Sequence, residues 1–190
     1  MIKLSFGNKK LPKTTVIMNI TSAKDCPSIR LGFCQCPKHC YARKAEVLYP
    51  NTLPSRREQT KFWDKNPALY IAWEIVKRIY AKKIRPDTFR FNEAGDFRNQ
   101  SDVDKMTVIC HELKKEFGMK CYGYTARRDL DFTALRWFAN VSGSGFMVTN
   151  KFVFVPKGHK ARTKLVCNCD CRTCTMCRDL KGKIISVHQH

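Results

Sequence analysis

Short apolar runs alternate with longer amphipathic segments along most of the chain. The runs rich in β-branched and aromatic residues predict strands, at residues 16–20, 88–95 and 118–126. Segments in which apolar residues recur every three or four positions predict helices, at residues 40–49, 53–63, 66–83 and 101–118. Because strands and helices alternate in this way, the sequence predicts an α/β fold with a mainly parallel sheet.

The helix predicted at residues 66–83 has a clear start and an apparent buried face. Asn66 is its predicted N-cap, and Pro67 is suited to the first turn. The residues predicted to form its buried stripe are Leu69, Ala72, Trp73, Val76 and Tyr80.

The helix predicted at residues 101–118 explains one of the isolated cysteines. Ser101 is its predicted cap and Gly118 its stop signal, and Cys110 falls on the apolar face between them. Cys121 lies in the strand that follows. Both are therefore interpreted as small buried hydrophobic residues.

The last third of the chain combines short regular elements with a cysteine-rich end. One further helix and one or two strands are predicted, at residues 131–139, 144–150 and 151–155. A polar loop leads from there into a basic, cysteine-rich segment at 157–190. Since no repeat or long linker divides the sequence, we expect residues 1–190 to form a single domain on which this segment packs.

Polar residues follow the predicted strands at the edge where parallel sheets bind ligands. Glu93 and Asp96 lie at the end of the strand at 88–95, and Thr125 and Arg127 lie at the end of the strand at 118–126. We therefore expect these four side chains to surround a cofactor, facing the first group of cysteines across one pocket mouth.

The chain is strongly basic, with a formal net charge of +20. A field of this sign attracts polyanions, so nucleic acid is an expected partner. Arg56, Arg57 and Lys61 form one basic cluster, which is interpreted either as a phosphate contact or as a solvated face. No apolar stretch is long enough for a membrane span and no secretory leader is evident, so we expect a protein of the host-cell cytoplasm.

Nine of the eleven cysteines fall into two groups. Clustered thiols in a reducing compartment indicate metal rather than disulfides. The C-terminal group contains Cys167, Cys169, Cys171, Cys174 and Cys177. Its C-x2-C-x2-C run resembles the runs that hold [4Fe–4S] clusters in ferredoxins, with zinc as the alternative and Cys169 as a spare thiol.

The N-terminal group is less regular and leaves its chemistry open. It contains Cys26, Cys34, Cys36 and Cys40. Three thiolates would leave an iron of a cluster open for a substrate or cofactor, whereas four would close a structural or electron-transfer site. One site shared between the two ends of the chain is a further alternative. Histidines that could replace a cysteine ligand are His39, His188 and His190.

Several segments together resemble a family of bacteriophage proteins, the gene product 88 group. They are MNITSAKDCPSIRLGFCQCPKHCYARKAEVLYP, RFNEAGDF, YGYTARRDLDF and the terminal cysteine cluster. The resemblance covers nearly the whole chain in the same order. It implies a ligand set of Cys26, Cys34, Cys40, Cys167, Cys171, Cys174 and Cys177. Cys36 and Cys169 depart from the family pattern.

The arrangement is also similar to radical S-adenosylmethionine enzymes. This similarity implies a partial (β/α) barrel, one or two [4Fe–4S] clusters, and S-adenosylmethionine held near Glu93. The usual C-x3-C-x2-C spacing of those enzymes is absent here. Two functions therefore stay open: redox or radical chemistry, with a redox partner and nucleic acid as a substrate, or a non-catalytic protein that binds nucleic acid or a host factor through a metal-stabilised fold.

Overall fold

The computed structural model of the protein describes residues 1–161 and 163–189. The strands of this part of the chain are β1 (Ser5–Phe6), β2 (Thr15–Met18), β3 (Thr88–Phe91), β4 (Lys120–Thr125), β5 (Ala139–Ser144), β6 (Asn150–Val155), β7 (Leu165–Cys167) and β8 (Ile184–His188). The α-helices are α1 (Pro27–Arg30), α2 (Tyr41–Leu48), α3 (Thr52–Lys65), α4 (Ala68–Lys82), α5 (Gln100–Phe117) and α6 (Met176–Asp179). Short 3-10 turns lie at Pro37–His39 and Leu135–Trp137.

All eight strands belong to one open sheet, in the order β1-β2-β3-β4-β5-β6-β8-β7. Only β1 is antiparallel to its neighbour; the other pairs are parallel. The predicted α/β class and the mainly parallel sheet are confirmed. The sheet does not close, so the barrel-like shape stays a prediction.

Helices α4 and α5 cover one face of the sheet and form the main core. Phe89 and Phe91 of β3, together with Val141 of β5, are fully buried there. At Gly123 in β4, a Cβ atom would lie 2.2 Å from the Phe91 ring, so only glycine lets this ring lie against the neighbouring strand. This face has the continuous apolar character expected of a helix-covered parallel sheet.

The opposite face of the sheet is more polar. One cross-strand row contains Ile17, Arg90, Tyr122 and Asn140, from β2 to β5. Alternation along each strand places these side chains away from the helices. The cysteine-rich segment packs against this face, as the contacts of Tyr122 with Cys171 show.

The buried face of α4 differs from the predicted one. Its fully or nearly buried residues are Ile71, Ala72, Ile75 and Ile79. By contrast, Leu69, Trp73 and Tyr80 are 62%, 53% and 61% exposed, so their prediction as core residues is wrong. Of the remaining predicted residues, Ala72 is buried and Val76 packs partly against the core. Two adjacent stripes of α4 are both apolar at helical spacing, and the aliphatic one packs inward.

Helix boundaries were predicted with mixed success. Asn66 does not cap α4; its Nδ2 donates to the Phe62 carbonyl at the end of α3, at 2.7 Å. In α5, Asn99 replaces Ser101 as the cap, because its side chain accepts a first-turn N–H at 3.1 Å. Gly118 ends α5 with a left-handed φ of 66°, as predicted.

The last third of the chain departs furthest from the prediction. The helix expected at 131–139 is only the 3-10 turn at Leu135–Trp137. The strand expected at 151–155 is present as β6. By contrast, residues 145–149 of the strand expected at 144–150 lie in no strand, and the strand before them is β5, which begins at residue 139. Its sequence, ANVSGS, has few of the branched side chains that favour strands, and burial between neighbouring strands outweighs this weak local preference.

Candidate metal-binding site

A tight turn between β7 and α6 arranges the C-terminal cysteine group. Cys167 ends β7 and Cys177 lies in α6. Between them, the Asp170 carbonyl accepts the Cys174 N–H at 2.9 Å, and the Asp170 carboxylate accepts the Arg172 N–H at 3.0 Å. Asp170 thereby fixes the backbone that carries the intervening thiols.

Four cysteines of this group line one small cavity with a volume of about 10 Å³. They are Cys167, Cys171, Cys174 and Cys177, and Cys169 lies outside this lining. The Cys169 thiol instead lies 3.6 Å from the Cys167 carbonyl oxygen. A space of this size takes about one water-sized sphere, so it has room for a single ion and admits a larger group only if the thiols move apart.

Burial raises the pKa of two of these thiols, those of Cys171 and Cys177, and so favours their protonated forms in the metal-free chain. It raises the pKa of Cys177 to about 11, although a hydrogen bond with Tyr124 acts in the opposite direction. Burial also raises the pKa of Cys171, while the positive charge of Arg90 lowers it. A cation in the cavity would stabilise the thiolates and offset the effect of burial.

Two buried polar atoms beside this cavity have no hydrogen-bond partner among the described residues. They are Thr15 Oγ1 and Arg178 Nε, and both residues line the cavity. Arg178 Nε lies 3.8 Å from the Asp179 carboxylate, which is beyond hydrogen-bond distance. Since buried polar groups are normally paired, both atoms are available as donors to sulfur in the cavity.

Side chains of the sheet hold the cysteine-rich segment in place. Asn140 Nδ2 donates to the Arg178 carbonyl at 2.7 Å, and Asn150 Nδ2 donates to the Leu180 carbonyl at 2.7 Å. The segment is therefore attached through two buried amides of β5 and β6.

The N-terminal cysteines lie in the connection between β2 and α2. Cys26 precedes α1, and Cys40 precedes α2. The thiols of Cys34 and Cys36 hydrogen-bond each other, which lowers the pKa of Cys34 to about 6 and raises the pKa of Cys36. Cys36, which departs from the family pattern, therefore contacts Cys34, which is one of the predicted ligands.

Asp96 connects this cysteine loop to the ends of β3 and β4. Its carboxylate accepts hydrogen bonds from Ser28 Oγ at 2.6 Å and Thr125 Oγ1 at 2.8 Å, and from the N–H groups of Phe97 and Ala126 at 2.8 and 2.7 Å. Burial raises the pKa of Asp96, and these donors oppose that effect. Asp96 and Thr125 thus lie next to each other, but the side chain of each already forms hydrogen bonds within the protein.

Burial and the Asp96 carboxylate together raise the pKa of Cys26 to about 12. The first cysteine of the group therefore lies close to the predicted polar residues. The cysteine loop contacts the strand ends through the hydrogen bond from Ser28 to Asp96, and the pocket expected between them stays a prediction.

The other two predicted cofactor residues have different surroundings. Arg127 pairs with Asp129 at 2.8 Å and donates to the Phe97 carbonyl at 2.6 Å. Glu93 accepts from Asn8 Nδ2 at 2.7 Å and lines a separate cleft of about 670 Å³. Arg127 therefore braces the backbone, and Glu93 faces a different space.

Glu46 is a structural residue that the sequence did not reveal. Its carboxylate accepts the N–H groups of Ala23 and Lys24 at 2.7 and 2.8 Å and pairs with Arg56 at 2.7 Å. Arg57 similarly pairs with Asp25 at 2.8 Å. These pairs clamp the loop before Cys26, so both arginines are already engaged within the protein. The signal for Glu46 in the sequence was that it is the only carboxylate in the otherwise basic helix predicted at 40–49.

Arg90 is the second residue that sequence reasoning missed. Its guanidinium carbon lies 5.8 and 5.4 Å from the ring centres of Tyr122 and Tyr124. Its buried Nε has no hydrogen-bond partner, and Arg90 forms no ion pair within residues 1–161 and 163–189. A basic residue between Phe89 and Phe91 of a buried strand was the signal in the sequence.

Two of the predicted substitute histidine ligands, His39 and His188, are not among the residues that line the cavity. His39 Nδ1 is 3.1 Å from Gln189 Nε2, a contact that joins the two ends of the chain. His188 lies in β8. His190 falls outside the described residues.

Comparisons with known proteins identify a family but no characterised relative. A family model described as Gene product 88 matches residues 2–144. No curated protein and no solved structure matches the chain, so the similarity to radical S-adenosylmethionine enzymes gains no support. Although four thiols line one cavity, no three His, Cys, Asp or Glu side chains among residues 1–161 and 163–189 are already arranged to hold a metal ion. None of the described helices has the length and apolar content needed to cross a membrane.

Proposed function

The chain belongs to the gene product 88 family of phage proteins, and we propose that it is an iron–sulfur protein whose C-terminal cysteines hold a [4Fe–4S] cluster. The proposed ligands are Cys167, Cys171, Cys174 and Cys177. The observation that carries the proposal is that these four thiols line one cavity. Their C-x2-C-x2-C run is of the kind that places one thiolate on each of several irons.

The residues around the cavity have the chemistry that such a cluster uses, but the four thiols must move apart to admit it, because the cavity takes about one water-sized sphere. The Thr15 hydroxyl and Arg178 Nε, which have no partner among the described residues, are donors of the kind that bond to cluster sulfurs and tune a reduction potential. Arg90 adds positive charge near Cys171. When bound, the cluster supplies one-electron transfer, and these residues hold it and balance the negative charge of its thiolates.

Zinc is the alternative occupant of the same four thiols. A tetrahedral zinc site requires sulfur atoms roughly 3.8 Å apart, from Zn–S bonds of about 2.3 Å. In that case the metal would fold the cysteine-rich segment onto the sheet and the protein would have no redox role. Metal analysis separates the two alternatives.

An enzymatic role depends on the N-terminal cysteines. Coordination by Cys26, Cys34 and Cys40 alone would leave an open iron able to bind S-adenosylmethionine. Coordination by Cys36 as well would close the site, and its contact with Cys34 favours this second arrangement. Adding S-adenosylmethionine to the reduced protein and recording its electron-spin resonance tests the open site: a changed signal supports it, and an unchanged one contradicts it.

The cluster proposal is tested by anaerobic purification, visible absorption, and assays of iron, acid-labile sulfide and zinc. We expect a brown protein with matching iron and sulfide. Cys171→Ser should lose about as much iron as a cluster contains, whereas Cys169→Ser and the core variant Cys110→Ser should keep it. A colourless protein with stoichiometric zinc would contradict the cluster but keep the site. A folded protein with neither metal would contradict both.

Nucleic-acid binding is a second candidate function, favoured by the net charge of +20. Binding through phosphates releases counterions, so affinity for nucleic acid should fall steeply as salt rises. The measurement is fluorescence anisotropy of a labelled oligonucleotide over a salt series. Absence of binding at low salt would reject this function without affecting the metal proposal.

A further inference from the structure

Helix α4 presents a stripe of large side chains to solvent. Tyr70, Trp73 and Tyr80 are 42%, 53% and 61% exposed, and Lys77 lies between them on the same face. We refer to these four residues as the α4 stripe. Their spacing of three, four and three residues follows the helix, so the stripe extends over about 15 Å.

The aromatic rings of the α4 stripe are held in place by their neighbours. The ring centres of Tyr70 and Trp73 are 5.7 Å apart, and Lys77 Nζ lies 4.8 Å from the Trp73 ring centre. The Tyr80 hydroxyl donates to Glu116 Oε1 at 2.6 Å. The stripe is therefore a row of accessible rings with a lysine beside it.

The charge around the α4 stripe is predominantly positive. Residues 68–85 contain the basic side chains Lys77, Arg78, Lys82, Lys83 and Arg85 and a single acidic one, Glu74. Glu74 lies 3.9 Å from Lys77, and Glu116 is engaged by Tyr80. A second copy of the chain docked here would bring another charge of +20 to the surface, which opposes self-association. A polyanion with flat apolar groups fits both the charge and the rings.

We propose that the α4 stripe binds single-stranded nucleic acid. Bases stack on Tyr70, Trp73 and Tyr80, while Lys77 and the basic residues that follow contact phosphates. This inference rests on the proposed nucleic-acid function. It adds which surface binds the nucleic acid and that the nucleic acid is single-stranded. Single strands fit because their base faces are free to stack, whereas a duplex hides them.

The test compares two exposed tryptophans by anisotropy of a labelled oligothymidylate. Trp73→Ala removes a stacking ring from the stripe. Trp137→Ala is the matched control, because Trp137 is 70% exposed and lies on a 3-10 turn away from α4. Trp73→Ala should weaken binding by about 5- to 150-fold, the equivalent of about 1–3 kcal/mol per stacked base. Trp137→Ala should leave the affinity unchanged.

An abasic oligomer isolates the stacking contribution. It keeps the phosphates but has no bases, so the wild-type protein should bind it at least as weakly as Trp73→Ala binds oligothymidylate, because stacking on Tyr70 and Tyr80 is lost as well. Trp73→Ala should lose nothing further with the abasic strand. Lys77→Gln should lower the slope of log affinity against log salt by about one.

The outcomes separate this inference from the function on which it rests. No binding of any oligonucleotide at low salt overturns both. Binding that Trp73→Ala and Trp137→Ala affect equally, or equal binding of abasic and normal strands, overturns the α4 stripe alone. Sedimentation can also overturn the role of the α4 stripe. If the wild-type protein is a dimer and Trp73→Ala is a monomer, the stripe is a contact between copies of the chain.

Discussion

Asp102 is a buried carboxylate that joins α3 and α5. It accepts hydrogen bonds from Trp63 Nε1 at 2.7 Å and from Arg98 Nε at 2.9 Å. Burial alone would raise the pKa of Asp102, but the hydrogen bonds and charge of Arg98 outweigh it and leave this pKa below its ordinary value. The ionised form is therefore part of the folded structure.

Asp102→Asn should destabilise the protein by about 1–3 kcal/mol at neutral pH, because it removes the buried charge that accepts from Trp63 and Arg98 and leaves Arg98 only the exposed Asp64 carboxylate. The folded pKa lies below the unfolded value, so the stabilisation is present above that unfolded value, about 3.9, and is lost as pH falls through the folded pKa. Urea unfolding of both chains over a pH series should show their difference shrinking in acid.

Asp64→Asn provides the control for this measurement. Asp64 pairs with the same arginine at 2.6 Å but is 51% exposed, so its loss should cost less than about 1 kcal/mol. Equal effects of the two variants at pH 7 would contradict the role given to burial.

Asp96 and Arg127 show why the role of a polar residue was harder to predict than its place in the fold. Their place at strand ends follows from the sequence pattern, and the structure puts them there. Such polar groups bind either a ligand or one another. Which of the two occurs depends on how closely the neighbouring loops pack, and residues distant in the sequence decide that packing. Gly95, for example, lies so close to Thr21 that a Cβ atom would fall 2.0 Å from its hydroxyl. No local pattern encodes that contact.

At the level of elements, the longer helices were predictable because periodicity extends over several turns. Helix α4 was located correctly, but its inward face was misjudged. Both the stripe containing Trp73 and the stripe containing Ile75 are apolar at helical spacing. Choosing between them requires knowing which side chains fit against α5, and that is a tertiary property.

Substitutions in the two stripes of α4 should affect the free energy of unfolding very differently. Ile75→Ala should lower the free energy of unfolding by about 2–5 kcal/mol, because it opens a cavity in a fully buried site. Trp73→Ala should change it by less than about 0.5 kcal/mol, since the ring is exposed. Thermal and urea unfolding measure both. The reverse ranking would restore the sequence-based assignment.

Across the whole molecule, the sheet separates an apolar face from a polar one. The cysteine-rich segment adds β8 and β7 to one edge of the sheet and packs α6 against the polar face; the sequence predicted none of these three elements. These elements are short and have little internal periodicity, so contacts with the sheet decide their structure. The cysteine pattern nevertheless marked the segment that contains the cavity.

Arg90 lies on this polar face, unpaired and close to Cys171, which gives the last prediction. In the metal-free chain, Arg90→Met should leave stability unchanged or raise it, because it removes a half-buried charge that has no ion-pair partner among the described residues. In the metal-loaded chain the same change should speed metal loss and lower the reduction potential of a cluster, because positive charge near the thiolates is lost. Urea unfolding of both forms, chelator release rates and redox titration measure this. Arg85→Met, at an exposed position, is the control. Effects of the same sign in both forms would show that Arg90 does not balance the charge of a metal centre.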